Sequence, residues 1–330
     1  METHLMWSWP IYWYLFLAGI GAGATTISAA VLWRGPGGNF GPRYFDVAKL
    51  GALIGPLPVI IGTGFLIFEL GRPFRAFNIM VSNLWYAPLN PSPMNFGGWM
   101  LLPYGVFGIL YAAAFLPWAR WFPGGFGASA ERLAAGARKP LSMIMAPLSI
   151  ATAVYTAVLL GAIPSRPLWN SPVIAALFTV SAFSTGIAAI MLAQRLTWKP
   201  NGDAQAERHF QNSGQVLTAA DMILIATELF VIVLFFMYSQ LTVGDVRYAV
   251  EVLLPGGELG GLFWWGLVGV GLLLPFFVEL YFILRTTRGG RAFHVPYAIE
   301  ILVPVAIMIG GFILRYVIVV GGQLTGPVGL

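Results

Sequence analysis

Eight apolar runs, each of twenty residues or more, divide this chain of 330 residues. A bilayer core of about 30 Å is crossed by roughly 20 helical residues. Backbone groups in hydrocarbon must find partners inside their own segment, so runs of this length predict helices. A membrane barrel would need strands of about ten alternating residues, and no such alternation occurs. The expected spans are 9–33, 46–70, 95–117, 141–163, 171–193, 215–240, 259–284 and 295–320. The expected fold is therefore an all-α membrane protein, one bundle of eight transmembrane helices filling residues 1–330. Thr197 to Gln215 reads as the only substantially hydrophilic loop, and there is no soluble domain. Gly19 and Gly23 have the small-xxx-small spacing that lets two helices approach closely.

The basic residues are divided unevenly among the loops. Those after the first, third, fifth and seventh runs carry thirteen of the eighteen Lys and Arg. Only Arg72, Arg75, Arg166 and Arg247 lie on the other face, and Arg315 falls inside the last run. Basic loops stay cytoplasmic, which predicts a multi-pass protein of the inner (plasma) membrane with both termini on the periplasmic side. The net charge of +5 then reflects loops beside anionic lipid; no basic stripe suggests a nucleic-acid partner. The start, Met1-Glu2-Thr3-His4, lacks the basic region of a signal peptide, so the first run is expected to be retained. The sequence contains no cysteine, which excludes thiolate-bound clusters and disulfides within it. His4, His209 and His294 are its three histidines. None stands in a position to pair across helices as axial ligands, so neither haem nor a bound metal is expected.

Charge inside a membrane is costly, and each such residue becomes a candidate for function. Glu69 ends the second run, three residues before Arg72, at a spacing that permits an ion pair. That pair either fixes a helix end or serves a cavity mouth. Asp221 and Glu228 lie two turns apart on one face of the sixth run. Glu279 lies on the seventh, Glu300 and Arg315 on the eighth. By depth these residues form a proton path or a set of separate pairs that orient helices. Tyr14 and Tyr155 each offer a phenol inside an apolar run, suited to hold a carbonyl and stack on a ring. Trp169 and the other tryptophans near the run ends are suited to an interfacial belt or to ligand contact.

Several motifs in order resemble one family. They are Tyr14-Leu15-Phe16-Leu17-Ala18-Gly19, Glu69-Leu70-Gly71-Arg72-Pro73, and Asn90-Pro91-Ser92-Pro93-Met94-Asn95-Phe96-Gly97-Gly98-Trp99. Further on stand Tyr155 to Gly161, Arg166-Pro167-Leu168-Trp169-Asn170, Phe263-Trp264-Trp265-Gly266 and Gly310 to Tyr316. Together they resemble the polysulfide reductase membrane-subunit family, often called NrfD or PsrC, nearly end to end. The resemblance implies an eight-helix subunit of a respiratory oxidoreductase that binds menaquinone or ubiquinone non-covalently at the outer face. It also implies a four-cluster ferredoxin-like iron–sulfur partner there, which leads on to a catalytic molybdopterin or multihaem cytochrome subunit. Quinone contacts carried over from the family fall on Tyr14, Glu69 and Tyr155, with Arg72 and Trp169 grouped beside them on the same face.

The function expected is thus a quinone-reactive membrane anchor in which Glu69 and Tyr155 handle the chemistry. Two rivals stay open. One is a proton or ion translocator using Asp221, Glu228, Glu279, Glu300 and Arg315; the other is a purely structural anchor.

Overall fold

The structure is a computed structural model that describes residues 7–33, 44–69, 71, 78, 92–163, 165–199, 204–242, 245–289 and 293–325. Eight helices are long and apolar enough to cross a membrane: Trp9–Trp33, Phe45–Glu69, Pro93–Ala113, Gly125–Gly161, Pro172–Thr197, Ala204–Leu241, Leu262–Arg288 and Tyr297–Leu324. They are numbered first to eighth below. No strand occurs among the described residues. Among the described residues, the short helices Trp118–Trp121 and Asp245–Glu251 accompany them.

Two helices outgrow the spans expected from hydropathy. The fourth begins at Gly125 and has 37 residues; the sixth begins at Ala204 and has 38. At 1.5 Å per residue each is about 56 Å long, well beyond the bilayer core. The reason is composition. Ala128 to Lys139 and Ala204 to Gln215 hold Ala, Glu, Gln and Arg, which form helix in water as well as in lipid. Most of the stretch expected to be a hydrophilic loop is therefore the polar end of the sixth helix.

Two other helices are irregular, and proline sits at both places. The second is interrupted at Gly55, between Phe45–Ile54 and Pro56–Glu69, because Pro56 and Pro58 have no N–H to give the preceding turn. The Tyr104 hydroxyl reaches into this break, 2.7 Å from Thr25 Oγ1, and donates to the Gly21 carbonyl at 3.0 Å. The seventh is wound as a π-helix over Leu262–Leu273 before becoming regular at Leu274. Pro275 stands at this junction, where it has no N–H to give the turn before it.

Helix contacts divide the molecule into two four-helix groups. The first helix packs on the second and fourth, and the third closes that group against the fourth and second. In the other group the fifth helix packs on the sixth and eighth, and the seventh packs on the eighth and sixth. The groups join where the first helix meets the fifth and eighth, and the fourth meets the fifth. Glycine permits the tightest of these crossings. A Cβ on Gly23 would collide with the Ala182 carbonyl, and one on Gly186 would lie 2.7 Å from the Gly23 Cα. Each group carries one candidate site.

Candidate functional site

In the first group, a cavity of about 520 Å³ separates the second helix from the third. Its walls follow helical spacing: Ile60, Gly64 and Ile67 on one side, Gly98, Leu102, Gly105 and Ile109 on the other. Val59 and Leu101 are buried at its floor, whereas Ile60, Leu102, Val106 and Ile109 are exposed toward the lipid side. Thr63 is turned back on its own helix, donating to the Val59 carbonyl at 2.8 Å. Tyr155, from the fourth helix, closes one end. Its ring lies on the backbone of Gly97, where a Cβ would overlap it, and its hydroxyl donates to the Pro93 carbonyl at 3.1 Å. An apolar slot with a single phenol at its end is the kind of pocket that takes a largely apolar ligand bearing one acceptor.

The other residues expected around Tyr155 lie at different distances from this cavity. Tyr14 stands one layer behind the wall: fully buried, against Gly62, its hydroxyl without a partner, and near enough to Tyr155 to interact with it electrostatically. Glu69 lies at the end of the second helix, just beyond Leu66 and Ile67 of the wall. Its carboxylate accepts from the Ser8 hydroxyl, which lies 2.7 Å from one oxygen and 2.9 Å from the other. Trp169 is not on the cavity wall. Its indole stacks on Trp7 at 4.9 Å, donates to the Ile318 carbonyl at 2.7 Å, and fills the space left by Gly322. Arg72, and with it the expected Glu69–Arg72 pair, lies outside the described residues.

The second group holds a buried polar column, built from residues that the sequence alone could not bring together. Ser184 of the fifth helix donates to Asp221 Oδ1 at 2.7 Å. Glu279 of the seventh helix faces Asp221 closely enough for the two carboxyls to share a proton, and no other described donor reaches the Glu279 oxygens or Asp221 Oδ2. Two turns along the sixth helix, Glu228 interacts with Arg315 of the eighth, with Ser181 beside both. The Arg315 guanidinium donates to Ser181 Oγ at 2.7 Å and to the Gly311 carbonyl at 2.8 Å, and sits over the Phe178 ring at 5.4 Å. Glu300 does not join this column directly. It pairs with Arg195 at 2.9 Å, on the wall of a second cavity of about 330 Å³ that also reaches Glu279. Ser8, Ser181 and Ser184 were not singled out from the sequence. The spacing of Ser181 and Ser184, which puts both on one helix face, was the one available sign.

The family model described as Polysulphide reductase, NrfD matches residues 1–327. The chain belongs to this family. A polysulfide reductase polypeptide of Wolinella succinogenes is 31% identical over 284 residues, covering 82% of each of the two proteins. The NrfD homolog of Haemophilus influenzae is 30% identical over 98% of this chain and 96% of its own length. Protein NrfD of Escherichia coli strain K12 is 29% identical over 97% and 96%.

In this NrfD family protein several of the motifs behind the resemblance stand at helix ends. Gly71 has φ +65°, the left-handed conformation that stops a helix, and its N–H returns to the Phe68 carbonyl. Ser92 caps the third helix by accepting from the Asn95 N–H, and Pro93 takes the first helical position. Arg166 donates to the Gln323 carbonyl at 2.9 Å, so the segment before the fifth helix is tied to the end of the eighth. Gln323 in turn bonds the backbone of Trp7 in both directions.

Proposed function

We propose that this NrfD family protein is the quinone-reactive membrane anchor of a respiratory oxidoreductase complex. The cavity that ends at the Tyr155 hydroxyl carries the reading. It opens toward lipid, where quinones dissolve, and its polar contact is confined to one end. A quinone, when bound, supplies two-electron, two-proton chemistry. The Tyr155 hydroxyl would turn from the Pro93 carbonyl to donate to a head-group carbonyl. Glu69, anchored by Ser8 just beyond the wall, would exchange protons with water at the rim. Tyr14 would support Tyr155 from behind. With no cysteine in the sequence, electrons would pass to clusters in a docked partner. A four-cluster ferredoxin-like subunit on the outer face, leading to a molybdopterin or multihaem subunit, fits that need, with both termini on the same face. The Wolinella relative is named as one polypeptide of a reductase, which agrees with a place among several subunits.

The test is to purify the protein with whatever accompanies it, extract it with organic solvent and look for quinone by mass spectrometry. Stoichiometric quinone beside a cluster-bearing partner is the expected result. A partner without quinone, even after reconstitution with quinone, would reject the reading.

The buried column favours a second activity in the same protein, proton translocation. From the cavity beside Arg195 and Glu300, a proton could be relayed by Glu279 to Asp221, and past Ser184 and Ser181 toward Glu228 and Arg315. In proteoliposomes of the whole complex, Glu279→Gln is expected to abolish the pH change across the membrane while quinol turnover continues. An undiminished pH change in that variant would remove Glu279 from any such path.

A further inference from the structure

We infer that the groove between the second and third helices seats the isoprenoid tail of the quinone, and that Gly64 and Gly105 are the specificity-determining residues that hold it open. This deepens the quinone-reactive reading and rests on it.

The two glycines are unlike their neighbours. A Cβ on Gly62 would lie 3.2 Å from the Tyr14 ring, and one on Gly108 would lie 3.1 Å from Pro56, so both glycines serve protein packing. A Cβ on Gly64 would meet nothing within 4 Å, and one on Gly105 only Ile60 Cγ1, at 4.0 Å. Glycine inside a helix is destabilising relative to alanine, and nothing in the protein itself uses the space these two leave. They face each other's helices across the cavity. Pro103, between Gly98 and Gly105, removes a further backbone bond from the third helix where it borders the cavity.

The shape of the cavity suits a long, narrow ligand. From Met94 to Ile109 its wall follows the third helix for about 22 Å at 1.5 Å per residue. Apolar side chains and glycines line it throughout except at Thr63, which is internally bonded, and at Tyr155. A phospholipid acyl tail shares the chemistry of an isoprenoid tail, but it comes with a charged head. The described wall residues include no charged side chain, and the polar end offers one neutral hydroxyl, which matches a quinone carbonyl.

The full-length protein in lipid nanodiscs provides the test, as wild type and as Gly64→Leu/Gly105→Leu. Binding is compared for 2-methyl-1,4-naphthoquinone and its long-tailed homologue, and for a tail-less and a long-tailed benzoquinone. In the filled variant the long-tailed compounds should bind at least about tenfold more weakly, about 1.4 kcal/mol, while the tail-less compounds bind as before. Equal weakening of both, at an unchanged melting temperature, would place the head rather than the tail here and overturn the inference. Unchanged binding of long-tailed compounds would also overturn it. The head-site reading would then survive provided Tyr155→Phe weakens the tail-less compound. A phospholipid found by native mass spectrometry in wild type and lost from the variant, with quinone binding intact, would give the groove to an acyl tail and reject the proposal. Absence of quinone binding in wild type would reject the quinone reading itself. Should the double variant fail to fold, Gly105→Ala should show a smaller loss with the same selectivity for long tails, and equal binding of long-tailed and tail-less compounds there would count against the inference.

Discussion

Replacing Arg315 with methionine should destabilise the protein by roughly 1–3 kcal/mol, the cost of leaving buried polar groups without their donor. Arg315 is 1% exposed and Glu228 2%. Without the guanidinium, Glu228 would be buried with no compensating charge, and the Ser181 hydroxyl and Gly311 carbonyl would lose their shared donor. Arg315→Lys should recover only part of the loss. One ammonium on a flexible stem cannot reproduce the planar fork that reaches Ser181, Gly311 and Phe178 together. The double variant Glu228→Gln/Arg315→Met should be more stable than Arg315→Met alone, because the stranded charge is gone. Thermal melting of detergent-purified protein, followed by fluorescence-detected size exclusion, measures all three. A single variant as stable as wild type would show that the pair is not coupled.

Tyr155→Phe should lower quinol turnover about 10²-fold, the typical cost of deleting one hydrogen-bond donor aimed at an oxygen on which charge develops. Stability and partner content should stay unchanged, since the ring keeps its contacts with Gly97 and Phe96. Gly97→Ala makes an independent check from the other side of the contact. The added Cβ would fall on the Tyr155 ring, so the hydroxyl must shift although the residue remains tyrosine. Steady-state kinetics of the intact complex with a soluble quinol analogue should show both variants impaired. Full activity in Tyr155→Phe would exclude the phenol from the reaction.

The helices were legible because each is a local property: a run long and apolar enough to span lipid needs no knowledge of its neighbours. The fourth and sixth helices were under-read because hydropathy is blind to helical segments that stand in water. The buried charges were also visible, since Asp221, Glu228, Glu279 and Arg315 are conspicuous in apolar runs. Their small hydroxyl partners were not, because serine is unremarkable in such helices. Trp169 illustrates the opposite case: an aromatic at a helix end could serve a ligand or a contact, and here its indole is committed to the Ile318 carbonyl and to Trp7.

Length, hydropathy and the cost of unpaired backbone in lipid were enough for the sequence to determine an eight-helix membrane protein, and its motif order to point to the family. Only the tertiary structure decided how those helices divide. Two groups of four put Tyr155 at the end of a lipid-facing groove, and brought Glu279 to Asp221 and Glu228 to Arg315 from separate helices. Which faces meet depends on small-residue crossings such as Gly23 on Ala182 and on kinks at proline, and both are settled by contacts between segments far apart in the sequence.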